Sequence, residues 1–300
     1  MHLLAFDGNK IVLQESVMKS SIFRVFGLVL AAVFTGGGSL AANAADTGLQ
    51  QVIAGDWRSA ADKERDAARK PLENLTFWGL KPGARILEVQ PGAGWWTQIL
   101  APYAARTSGS YSATAADLAN PELSDGARRG REAFSGRFAD QSIYGKVELV
   151  NWGATAAPLA SNSYDFILLS RAIHGWMRVD GLLERNFGQL ANALAPGGVL
   201  AVEQHRGNPG PQDPKAATGY VTEAFVIEAA EKVGLKLAAR AEINANPKDT
   251  KDHPFGVWTL PPTRQTVAYG SNQPADPNFD RAKYDAIGES DRMTLRFVKE

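Results

Sequence analysis

The chain has 300 residues, 44% of them hydrophobic, enough for one large folded domain or two modest ones. Lys plus Arg and Asp plus Glu both total 32, so the formal charge is zero and no broad attraction to nucleic acid or anionic lipid is expected. Cysteine is absent, which excludes disulfides, thiolate zinc sites and thiol nucleophiles.

In chain order, the first informative segment begins at an internal methionine. Met18 opens a tripartite pattern: Lys19 and Arg24 are positive, Val25 to Phe34 form an apolar run, and Ala42-Asn43-Ala44 ends it with small residues. This is the signature of a secretory signal, expected to be cut after Ala44, and the run is too short to span a bilayer. Residues 1–44 therefore read as an upstream extension plus a cleaved signal, with the mature protein exported, in the setting of a Gram-negative periplasm. No stable membrane anchor is expected after cleavage.

Residues 45–82 read as a helical extension, with a charged amphipathic stretch from Ala61 to Leu80 interrupted by Pro71. From residue 83 the period changes. Strands are predicted at Ala84 to Val89, Ser110 to Ala115, Lys146 to Trp152, Tyr164 to Ser170 and Gly198 to Gln204. Helical patterns over Trp95 to Ala104, Pro121 to Phe138, Asp180 to Leu194 and Thr222 to Val233 separate or follow them. This alternation predicts an α/β domain over 83–300, with a parallel sheet covered on both faces. Two closing strands, Lys236 to Ile243 and Met293 to Lys299, flank a connection at about 245–290 that is long enough to be functional or poorly ordered.

The string ILEVQPGAGWWT, from Ile86 to Thr97, places an acidic residue at a strand end before a tight turn of small residues. Such a turn lets backbone approach a ligand while a carboxylate accepts its hydrogen bonds. This segment resembles motif I of the class I S-adenosylmethionine-dependent methyltransferases. SYDFILLSRAIHGW and LAPGGVLAVEQHR resemble their strand 4 and strand 5 regions, and NPKD (Asn246 to Asp249) with SDRMTLRF (Ser290 to Phe297) resembles a group of exported methyltransferases. The resemblance implies a Rossmann-like seven-stranded sheet of order 3-2-1-4-5-7-6 and S-adenosylmethionine as cofactor. Glu88, Gly92 and Gly94 would line its amino acid and ribose part, and Asp117 would face the ribose hydroxyls. Gly94→Val is then expected to abolish cofactor binding with the fold kept. Three features depart from the pattern: Gln90 stands where motif I has its first glycine, the bulky Trp95 and Trp96 follow the turn, and Gly153-Ala154 stands where an acidic residue often holds adenine. Trp95 and Trp96 read as core packing at the start of a helix.

Past residue 44 the chain has three histidines, His174, His205 and His253, and the topology puts all three near the ligand-bearing edge. His205 and His174 are candidate catalytic residues, as a general base for a methyl acceptor whose imidazole titrates near neutrality. A metal site and unrelated hydrogen bonding are the other readings; no metal set is assigned. Glu203 and Arg206 flank His205 and either orient it or form an ordinary salt bridge. The function expected is methyl transfer to a small-molecule acceptor, with no nucleic acid partner. The alternative is an exported ligand-binding or accessory protein that keeps the fold without using the cofactor.

Overall fold

The computed structural model describes residues 47–268 and 271–300. The expected signal segment lies outside them, as does the cleavage site. A helical run over 47–53 opens the described chain, followed by α1 (Ala60–Glu64), α2 (Asp66–Arg69) and α3 (Pro71–Trp78). The amphipathic stretch expected at 61–80 with an interruption at Pro71 is three short helices: a new one starts at Pro71, and a further break falls at Arg65. Lys70 sits in the left-handed region at φ 44° between α2 and α3, and Pro71 occupies the first turn of α3, where its missing N–H costs nothing.

The sheet has seven strands: β1 (Arg85–Val89), β2 (Ser110–Ala116), β3 (Val147–Trp152), β4 (Tyr164–Ser170), β5 (Leu194–His205), β6 (Leu235–Ala241) and β7 (Arg292–Lys299). Their order is β3-β2-β1-β4-β5-β7-β6, as the resemblance implied. β1 pairs in parallel with β2 and β4, β4 with β5, and β7 runs antiparallel to β5 and β6. β5 starts at Leu194, earlier than expected, because Leu194 pairs with Tyr164 ahead of an irregularity in the ladder. The main connecting helices are α4 (Thr97–Arg106), α5 (Asp125–Arg137), α6 (Gln141–Tyr144), α7 (Ile173–Trp176), α8 (Leu182–Ala193) and α9 (Glu223–Glu231).

Successive strand residues point to opposite faces, so the sheet divides its apolar residues between two cores. Leu87, Val89, Ile167, Leu169, Leu200 and Val202 pack with Trp176, Phe187 and Leu190 on one side. Ile86, Phe166, Leu168 and Ala201 pack with Leu75, Trp78, Leu100 and Tyr103 on the other. Burial on both faces explains why β4 reads as an unbroken apolar run. Glu88 belongs by parity with Ile86 and so projects toward α4 rather than α7.

The described part of the connection after β6 has secondary structure of its own. It carries a 3-10 turn, Gly256–Thr259, and α10 (Arg281–Asp285), and Phe255 stacks on Phe279. Through Val257 and Trp258 the turn packs back over the carboxyl ends of β1 and β4, and the Val257 N–H donates to the Thr218 carbonyl at 2.9 Å.

Candidate functional site

The carboxyl ends of β1 and β4 open into a cleft of about 400 Å³. Its walls include Arg65, Arg69, Glu88, Gln90, Pro91, Gly92, Trp95, Trp96, Arg171, His174, His205 and Trp258. A second cleft of about 430 Å³ lies on the other side of the β1–α4 turn, against Thr114, Ala115, Ala116, Arg131 and Trp152. Gln90, Pro91 and Gly92 line both, so this turn is the ridge between them.

Two strand-end residues of the cleft, Gln90 and Arg171, have left-handed backbone at φ 50° and 56°. The left-handed region costs a side-chain-bearing residue roughly 1–2 kcal/mol, and such residues concentrate at functional edges. Gln90 keeps the backbone shape a glycine would adopt. Its N–H donates to Thr114 Oγ1 at 2.7 Å, and its Oε1 accepts from Trp176 Nε1 at 2.9 Å. The side chain is thus tied to α7. Gly92, at φ 58°, would direct a Cβ into open space, whereas a Cβ on Gly94, at φ 80°, would lie 2.4 Å from Phe138.

Gly94 is accordingly a packing glycine, and it lines neither cleft. Its substitution by valine strikes the buried Phe138 ring, which corrects the expectation that Gly94→Val would spare the fold. Asp117 also lines neither cleft. It is buried, with Oδ1 accepting from the Ala119 N–H and Oδ2 from the Thr155 hydroxyl, both at 3.0 Å.

Glu88 does line the cleft, at 2% exposure. Its Oε2 accepts from the Tyr111 hydroxyl at 2.6 Å and from Thr97 Oγ1 at 2.9 Å. Burial pushes its carboxyl up to about 7, more than these hydrogen bonds and the charge of Arg171 pull it down.

His174 and His205 share the cleft with ring centroids 5.6 Å apart. The Gln204 amide nitrogen lies 3.2 Å from His174 Nδ1, and Ser290 Oγ lies 2.6 Å from His205 Nδ1. Neither imidazole titrates near neutrality. Burial, with help from Arg178, drives His174 down to about 4, and burial with His174 and Arg171 drives His205 well below its ordinary value. The expectation of a base poised at neutral pH is corrected by this positive, desolvated setting. His253 does not join the pair: its Nε2 is 2.8 Å from Asp249 Oδ1 and its ring meets Tyr284.

Behind the histidines lies a buried ionic cluster. Arg292 contacts Glu203 at 2.5 Å and Glu289 at 3.2 Å, while Arg65 and Arg69 approach Glu289 at 3.1 and 3.0 Å. Burial raises the Glu203 carboxyl, yet Arg292, Arg171 and Arg69 outweigh it and hold the group at about 2. Glu203 also accepts from Ser170 Oγ at 2.7 Å, so it braces the floor of the cleft rather than orienting His205. Arg206 turns outward to Asp291 and Glu242, an ordinary salt bridge.

Trp95 and Trp96 are core residues, as expected, and wall residues as well. The Trp95 ring carries the Arg69 guanidinium 4.7 Å from its centroid. Sequence reasoning missed Arg65, Arg69, Arg171 and Trp258. No group of three or more His, Cys, Asp or Glu suited to a metal ion occurs among the described residues, and no helix among them is long and apolar enough to cross a membrane.

Residues 87–202 match the model of a family described as a methyltransferase domain. No curated protein matches the chain. Among solved structures, a putative sarcosine dimethylglycine methyltransferase from Galdieria sulphuraria is similar at 14% identity and a TM-score of 0.50, over 81% of this chain and 88% of that one. A SAM dependent methyltransferase from Aquifex aeolicus is similar at 19% identity and a TM-score of 0.44, over 60% and 87%. At these identities the structural likeness speaks for the fold alone. The family match over residues 87–202 and the strand order support S-adenosylmethionine as the group this fold holds.

Proposed function

We propose that the protein transfers the methyl group of S-adenosylmethionine to a small organic acceptor, and that it does so outside the cytoplasm. The observation that carries the catalytic reading is the β1–α4 turn. Its three residues form the ridge of two clefts, Gly92 leaves room for a ligand, and Glu88 presents a carboxyl beside it. When bound, S-adenosylmethionine supplies a sulfonium methyl. Glu88 would meet the ammonium of its amino acid part, the 90–92 backbone would support its middle, and Ala116 and Trp152 would flank its nucleoside. The Gln90 side chain is no obstacle, because Trp176 holds it.

The acceptor belongs beside His174, His205 and Trp258 on the first cleft. Arg171 opposes protonation of His205, and both imidazoles are neutral at pH 7, so they act as hydrogen-bonding groups that fix the acceptor. Positioning and exclusion of water then make up the protein's contribution to the rate. The extracytoplasmic setting rests on the pattern from Met18 to Ala44.

Calorimetric titration with S-adenosylhomocysteine tests the cofactor reading. Saturable one-to-one binding is expected in the parent protein. In Gly92→Leu, whose side chain would enter the cleft, affinity should fall by about tenfold or more. A parent that does not bind, or a variant that binds equally well, would remove the turn from this role.

A further inference from the structure

The cleft holds more positive charge than its own carboxylates can balance. The buried Arg69, Arg171 and Arg292 share two strongly ionised acids, Glu203 and Glu289, while the more exposed Arg65 also faces the ionised Asp62. Glu88, pushed up to about 7, is only partly ionised at neutral pH and offsets part of the third buried charge. Buried charges without partners are costly, so an excess of this kind calls for a counter-ion.

The unsatisfied atoms show where that counter-ion would sit. Arg69 is 1% exposed, and its Nε is committed to Glu289, yet its Nη2 is buried with no hydrogen-bond partner. Arg171 Nε is likewise buried and unpartnered. Both residues line the cleft. The two guanidiniums come from different elements, α2 and the turn just past β4. Trp95 and Glu289 hold Arg69, and the left-handed backbone at φ 56° sets the exit of Arg171. Rigid arginine forks suit planar carboxylate or phosphoryl oxygens. Trp258 and Val257 stand in the same cleft as an apolar wall.

We infer that Arg69 and Arg171 form a seat for an anionic carboxylate or phosphoryl group, and that this group belongs to the methyl acceptor, an organic anion with an apolar body. The inference deepens the proposed function and rests on it for the word acceptor. The same chemistry exists in the α-carboxylate of the cofactor. Glu88 would bring the cofactor's amino acid part into this same cleft, so the cleft alone does not separate the two sources; the acceptor is favoured by the imidazoles, because the charges of Arg171 and Arg69 both act on His205. An anionic acceptor also suits neutral imidazoles, which would hydrogen-bond to it without having to take up a proton.

The probes are benzoate, its neutral isostere benzamide, and inorganic phosphate, titrated calorimetrically at constant ionic strength. Titrations are run with the free protein, with protein saturated in S-adenosylhomocysteine, and with protein saturated in methylthioadenosine, which lacks the amino acid part. Benzoate or phosphate should bind in all three settings, and benzamide at least about tenfold more weakly than benzoate. In Arg171→Gln, benzoate affinity should fall by about tenfold while S-adenosylhomocysteine affinity changes less than about twofold. Arg69→Lys, which keeps the charge but loses the fork, should fall by a similar factor and serves if Arg171→Gln is unstable. Anion binding that survives methylthioadenosine but is abolished by S-adenosylhomocysteine would give the seat to the cofactor and overturn the acceptor assignment. Equal binding of benzoate and benzamide, or no anion binding in any setting, would overturn the seat itself. Failure of S-adenosylhomocysteine to bind, with the anion results intact in the free protein, would instead strike the methyltransferase reading and withdraw the acceptor assignment with it.

Discussion

Replacing Glu88 by Gln tests the electrostatic account of the cleft floor. The substitution keeps a hydrogen-bond acceptor for Tyr111 and Thr97 while removing the ionisable group. In the folded protein the carboxyl titrates at about 7 against an ordinary 4.5, a raised value. The linkage sign is therefore that of a group whose protonated form is favoured by folding. Its stabilising contribution is full below about pH 4.5 and is lost as pH rises through about 7. At 1.36 kcal/mol per pH unit, the parent should lose roughly 2–3 kcal/mol at this site between pH 5 and pH 8. The Glu88→Gln variant loses none of it. Urea unfolding of both proteins at the two pH values measures the effect as a difference of differences, which cancels any pH-independent change in hydrogen bonding. The stability of the variant relative to the parent should rise by about 2–3 kcal/mol on going from pH 5 to pH 8. A change below about 0.5 kcal/mol would show that Glu88 is not desolvated as the structure has it.

His174 should act in the opposite sense. Its folded value of about 4 lies below the ordinary 6.5, so His174→Gln should remove about 3 kcal/mol of the stability lost as pH falls from 6.5 toward 4, read from urea unfolding across that range. Gly94→Val should cost on the order of 3 kcal/mol through left-handed strain and collision with Phe138, visible in urea unfolding of the ligand-free protein. An unchanged midpoint would restore Gly94 to a ligand role. N-terminal sequencing of the natural product should begin at Ala45 in an extracytoplasmic fraction, and a cytosolic chain starting at Met1 or Met18 would refute export.

The strands were legible because a sheet buried on both faces requires long apolar runs. YDFILLS and ARILEV announce themselves this way, and the turns between are marked by Gly and Pro. The ligand edge followed from topology, which brought His174 and His205 into one cleft. The individual ligand residues were less legible for reasons that lie far along the chain. Gly94 and Gly92 are equivalent in the local string, and only the distant Phe138 separates a packing glycine from one facing open space. Asp117 sits where a ribose partner belongs, yet Thr155 engages it. Arg65 and Arg69 lie in the stretch that reads only as a charged amphipathic helix, with nothing local to single them out. Lys70, in its left-handed conformation, divides that helix, and Glu289 draws both arginines inward. Imidazole chemistry was misjudged for the same reason, because Arg69, Arg171 and Arg292, which depress His205, come from widely separated segments.

A crystal structure of the protein soaked with S-adenosylhomocysteine would test the central claim most directly. The ligand should lie across the turn of Gln90, Pro91 and Gly92, with its ammonium at Glu88 and its nucleoside toward Ala116 and Trp152. Density elsewhere, or an empty ridge at saturating ligand, would contradict the account.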